Sequence, residues 1–100
     1  MELRREPRHP LTSQGRYRRG QGRAYKVLFE DISASGCRFN DLVGRLSRDD
    51  TLTIRIGDIG PIDARVAWCE RRSIGIEFKP KLHPAVLDHI NRTNQAPTAP

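Results

Sequence analysis

The chain has 100 residues, 36% of them hydrophobic and 30% charged; this allows one domain with one modest core and excludes a disordered or membrane-embedded composition. Net charge is +6, and residues 1 to 23 hold seven arginines against Glu2 and Glu6, so nearly all the excess sits in the N-terminal quarter. Arginine makes up 15 of the 18 basic residues; its planar fork grips phosphates and guanine edges bidentately, which implies an anionic partner.

Residues 1 to 23, MELRREPRHPLTSQGRYRRGQGR, lack apolar periodicity, and an N-terminal arm over 1–22 is expected, with at most one poor strand near Gly15 to Arg19. The first 20 residues carry no apolar stretch, so neither a signal peptide nor membrane insertion is expected, and the expected location is cytoplasmic. From Arg23 to Ile32, Tyr25, Val27 and Phe29 alternate with Lys26 and Glu30, the period of a half-buried strand. After SASG, a turn, alternation resumes with Cys37 and Phe39 inward. Residues 41 to 50 form a polar connection from which Leu42, Val43 and Leu46 can pack down.

Leu52, Ile54 and Ile56 mark another strand, and GDIGP a hairpin-type break. Ile62, Ala64, Val66 and Trp68 then share one face by parity, which assigns Trp68 to the core. Ile74, Ile76 and Phe78 mark the last strand, with Gly75 turned away and leaving room for a neighbouring backbone. Pro84 suits a first helical position, and Leu82, Val86, Leu87 and Ile90 form an apolar stripe. From Asn91 the helix should fray, and 93–100 reads as a disordered tail. An all-β fold follows: an antiparallel barrel or sandwich of about six strands over 23–92, closed by one C-terminal α-helix.

Enzyme chemistry finds no support. No nucleophile elbow, phosphate loop or zinc-protease motif is present, and His9, His83 and His89 sit in the arm and the terminal helix, where solvated or capping roles suffice. Cys37 and Cys69 lack the spacing of a metal site and read as buried thiols. No cofactor is expected.

Two stretches remain. RREPR places Arg4 and Arg8 four apart, with Arg5 beside them; by chemistry alone this is a solvated basic tail or a nonspecific phosphate-seeking one. DISASG places Asp31, Ser33 and Gly36 directly after an apolar run. Asp31 and Ser33 can cap their own turn while Gly36 supplies a positive φ, or the three can serve a ligand. The stretches are complementary: arginine forks donate to phosphate and to guanine O6 and N7, and a carboxylate accepts from guanine N1 and N2 hydrogens. A ligand bearing both guanine and phosphate would satisfy the set.

RREPR and DISASG, followed by PIDARVAWCERRSIGIEF and a closing helix, resemble the PilZ domain, whose motifs are RxxxR and (D/N)xSxxG. The resemblance covers residues 3 to 92 and implies a six-stranded antiparallel β-barrel with a C-terminal helix, a PilZ-like split barrel. It also implies binding of the bacterial second messenger cyclic di-GMP, with Arg4 and Arg8 on phosphate and guanine and with Asp31, Ser33 and Gly36 completing the pocket. Arg5 is an auxiliary phosphate contact by adjacency, and Trp68 matches an aromatic position that can approach a base. On this reading the ligand orders the arm and a downstream protein reads the change. Two alternatives stay open: an adaptor of the same fold that acts by protein contacts without nucleotide, and a small basic barrel for RNA or single-stranded DNA. The second is disfavoured because exposed aromatics interleaved with arginine are few, Tyr17 and Tyr25 being the candidates and Tyr25 reading as buried.

Overall fold

The computed structural model describes residues 9–10, 14–41 and 44–94. Seven strands and one helix follow in chain order: β1 (His9–Pro10), β2 (Gln14–Arg18), β3 (Ala24–Ile32), β4 (Gly36–Asn40), β5 (Thr51–Ile56), β6 (Ile59–Glu70), β7 (Ser73–Phe78) and α1 (Pro84–Asn94). Every pairing is antiparallel. Six strands close a barrel in the order β2-β5-β6-β7-β4-β3, with β3 returning to β2. The expected six-stranded barrel with a C-terminal helix is therefore the observed fold.

The two-residue β1 adds to β3 in nearly the register of β2. His9 lies opposite Ile32 and Gln14 opposite Leu28, so β1 and β2 read as one interrupted strand along the same edge of β3.

Alternation drives the closure. Phe29, Phe39, Leu52, Ile54, Ile56, Ala64, Val66, Ile74, Ile76 and Phe78 turn inward, as their period-two spacing requires. Tyr17 and Phe39 stack at 5.8 Å between ring centroids, and Phe29 meets Phe39 edge-on at 5.8 Å. At about 25 cal/mol per Å² of apolar surface removed from water, such fully buried rings and branched side chains dominate the stability of the barrel. Leu46 from the polar connection is buried as expected, while Leu42 and Val43 lie outside the described residues.

The poor strand expected near Gly15 to Arg19 is a full stave. β2 pairs with β3 on one side and β5 on the other, and Tyr17 is only 2% exposed. A single inward aromatic among outward arginines anchors it, a pattern too sparse to register as periodicity.

His83 caps α1: its carbonyl accepts from the Val86 and Leu87 amides, and its Nδ1 accepts from the Ala85 amide at 3.0 Å. Ile90 is fully buried against the barrel, with Leu82, Val86 and Leu87 packed beside it. The fraying expected from Asn91 is corrected as far as Asn94, where the helix continues with an Arg92–Asp88 ion pair and a Thr93 hydroxyl donating to the His89 carbonyl. Residues 95–100 lie outside the described residues.

Candidate functional site

The DISASG stretch is the end of β3 and the bend into β4. Its backbone is pinned on three sides. The Ser33 amide donates to the Gly36 carbonyl at 2.8 Å, the Phe78 amide to the Ser35 carbonyl at 2.8 Å and the Leu82 amide to the Ala34 carbonyl at 2.8 Å. The Ser33 hydroxyl donates to the Gly36 carbonyl at 3.4 Å. The bend is thus held by β7 and by the segment leading to α1, a rigid support for whatever its side chains do.

Gly36 departs from expectation. It is a buried strand residue and is not among the residues with positive φ. A Cβ there would overlap the Ile76 carbonyl oxygen of β7, so the missing side chain serves the close approach of two strands.

Asp31 is buried, and the side chain that meets it comes from across the ladder. Arg38 Nη2 lies 2.8 Å from Asp31 Oδ2, and Arg38 Nε lies 3.1 Å from Glu30 Oε1. Arg38 carries no motif signal, and sequence reasoning missed it. The signal that could have found it is its place two residues after Gly36, on the outward parity of β4.

Register extends this pair into a row. Asp31 faces Arg38, Arg38 faces Gly75, and Gly75 faces Trp68, so four strands place these residues side by side on the outer wall. The next row carries Gly36 opposite Glu77 and Glu77 opposite Arg65. Arg65 is itself held by Glu77 at 2.7 Å and Asp49 at 3.0 Å. Between the rows lies an open cleft of 260 Å³ lined by Ser33, Gly36, Arg65, Trp68, Gly75 and Glu77, among others.

Trp68 corrects the parity reading. A register shift between Val66 and Trp68 inserts one extra residue into β6, which turns the indole out of the core, 36% exposed. The ring lies across Gly75, where a Cβ would overlap it; that space takes an indole and not the neighbouring backbone expected. The same shift leaves Cys69 exposed, contrary to the buried thiol expected, while Cys37 is buried; both are free. Tyr25 is half-buried, with Arg45 stacked over its ring at 4.6 Å.

Asp31, Ser33, Gly36 and Trp68 therefore converge on one wall. Arg4, Arg5 and Arg8 lie outside the described residues. Within the described residues, Pro10 pairs with Asp31 and His9 with Ile32, both in the acidic motif.

A larger cavity of 520 Å³ lies outside β3 between Gln14, Tyr25, Leu28 and Arg45. No motif residue lines it, and the chemistry points to the smaller cleft. Among the described residues no group of three His, Cys, Asp or Glu side chains gathers to hold a metal, and no helix is long and apolar enough to cross a membrane.

What this wall can do is bind. A carboxylate, a hydroxyl, an exposed indole and strand backbone offer acceptors, a donor and a stacking face.

No curated protein matches the chain closely enough to count as a relative. The family model described as the PilZ domain matches residues 2–93. PilZ domains form a cyclic di-GMP-binding family of receptor domains and not of enzymes. With RREPR and DISASG both intact in a closed six-stranded barrel, and with the family model spanning nearly its whole length, the chain belongs to the PilZ domain family.

Proposed function

We propose that this chain is a cyclic di-GMP receptor in which Arg4 and Arg8 of the leader and Asp31 and Ser33 of the barrel grip the same molecule. The observation that carries the reading is the register of β1. His9 stands opposite Ile32 and Pro10 opposite Asp31, and in the sequence Arg8 immediately precedes His9. The arginine motif and the acidic motif then need no long excursion to meet.

Each group has a task its chemistry suits. The arginine forks neutralise the two phosphate charges of the ligand and reach guanine O6 and N7. Asp31 accepts from guanine N1 and N2 hydrogens. A carboxylate has about four acceptor sites, so Arg38 and a guanine edge can share it. Ser33 adds a hydroxyl, and Gly36 keeps the bend close to β7. Trp68 offers its exposed face to a base, and Arg5 adds charge beside the phosphates. Fixing the leader against the barrel costs backbone entropy, which restrains affinity, and its altered state is what a downstream protein reads. No bond is made or broken.

Calorimetric titration with cyclic di-GMP tests the reading. Losing a charge-assisted hydrogen bond costs about 1.5–3 kcal/mol, so Arg8→Ala should weaken binding by roughly 10- to 150-fold with the unfolding midpoint unchanged. Equal affinity for Arg8→Ala and the parent would overturn the clamp.

A further inference from the structure

The wall opposite the cleft carries a second arrangement of charge. In the ring of six strands β2 stands three places from β7, and the outer face of β3, β2 and β5 aligns Lys26, Arg16 and Arg55 directly opposite one another. All three are exposed, and among the described residues none has an acid within ion-pair distance. Arg19, Arg38, Arg65 and Arg92 behave differently, each pairing with an aspartate or glutamate. Like charges directly opposite on a sheet repel, so the row works against folding. Hollows of 260 Å³ flank it, one reaching Arg18 and Thr53 and the other Gly15 and Gly57. One row away, on the same outward parity of β3, Leu28 is 58% exposed.

We infer that this face docks an acidic amphipathic helix of a partner protein. Three chemistries would meet a cationic row, and the surroundings separate them. Single-stranded nucleic acid needs exposed rings for stacking, but Tyr17 is buried and Arg45 covers Tyr25. A bilayer needs an apolar face able to insert, and a lone leucine is a poor one. A protein helix fits both features. Neighbouring strands lie about 4.8 Å apart, and acids at i, i+3 and i+7 of a helix rise by about 4.5 and 6 Å per step, so a helix laid across the strands sets its carboxylates over successive cations. The apolar edge of that helix then covers Leu28. The face lies apart from Arg38, Gly75 and Trp68, so helix and nucleotide occupy different walls.

The test uses the full chain and a fluorescein-labelled alanine-based peptide with glutamates at i, i+3 and i+7 and leucines along one flank. Its competitors are a scrambled peptide of the same composition, phosphatidylglycerol vesicles and a short single-stranded oligonucleotide. Polarisation should show the patterned peptide bound at least tenfold more tightly than the scrambled one, and neither vesicles nor oligonucleotide should displace it at equal charge. The Arg16→Glu/Arg55→Glu variant should lose at least tenfold in peptide affinity, and Leu28→Ala about threefold. Should that variant fold poorly, Arg16→Gln/Arg55→Gln relieves the repulsion without adding charge and should still weaken the peptide at least threefold. Cyclic di-GMP titration of the same variants should match the parent within twofold, which separates this face from the nucleotide reading. Equal binding of the scrambled peptide, displacement by vesicles or oligonucleotide, or unchanged peptide affinity in the glutamine variant would each overturn the inference.

Discussion

Trp68 shows how one inserted residue decides whether a side chain belongs to the core or to the surface. Its indole owes its place to the bulge in β6 and to the absence of a Cβ on Gly75 beneath it. Gly75→Ala should lift the ring: tryptophan emission should shift to the red and become more open to iodide quenching, while far-ultraviolet dichroism stays that of the parent. Unchanged emission would mean that the indole does not rest on Gly75. Cys69 follows from the same bulge. Partial burial of its thiol beside the Leu46 carbonyl, followed in weight by the charges of Asp41 and Asp50, pushes its pKa above the usual cysteine value. The thiolate is therefore scarcer at pH 8 than in a free cysteine. Iodoacetamide should label Cys69 before the buried Cys37 yet more slowly than a model thiol, with the rate climbing as pH rises through the elevated pKa. Labelling of Cys37 first, or at model rates for Cys69, would contradict this arrangement.

At the scale of elements, the core-facing staves were legible because each alternates over several residues: Leu52, Ile54 and Ile56 in β5, and Ile74, Ile76 and Phe78 in β7. Where legibility failed, the cause was a contact between strands that no single stretch encodes. The outward parity of β4 marks the place of Arg38, but its pairing with Asp31 appears only with β4 laid against β3, and the bulge in β6 has no residue that announces it. Gly36 was found as a motif letter, but its physical task, letting β4 approach the Ile76 carbonyl, appears only with β7 in place. This makes a prediction about stability. Gly36→Ala must part β4 from β7, and overpacking of this kind costs about 1–3 kcal/mol, so the urea midpoint should fall clearly. Ser33→Ala, which removes one long hydrogen bond at 3.4 Å, should move it far less. Equal midpoints for the two would show that Gly36 serves only a ligand.

At the scale of the whole molecule, a barrel stabilised by its own core pairs His9 and Pro10 with Ile32 and Asp31 of the acidic motif. RREPR was legible as a pattern, but the pairing of Pro10 with Asp31, just after it in the chain, was not, because proximity between residues some twenty apart is a property of register and not of spacing. If the barrel and leader grip one ligand, its binding is linked to global unfolding. At a hundredfold excess over Kd, a ligand that binds only the folded state adds about 2.7 kcal/mol. For a domain of this size each kcal/mol moves Tm by about 4–8 °C, so saturating cyclic di-GMP should raise Tm by roughly 10–20 °C. At that same ligand concentration Arg8→Ala and Asp31→Asn should each lose about half of the rise or more, since either removes one side of the grip. Differential scanning fluorimetry checks this directly. A full shift in Arg8→Ala with none in Asp31→Asn would place the ligand on the barrel alone and leave the leader without a part in holding it.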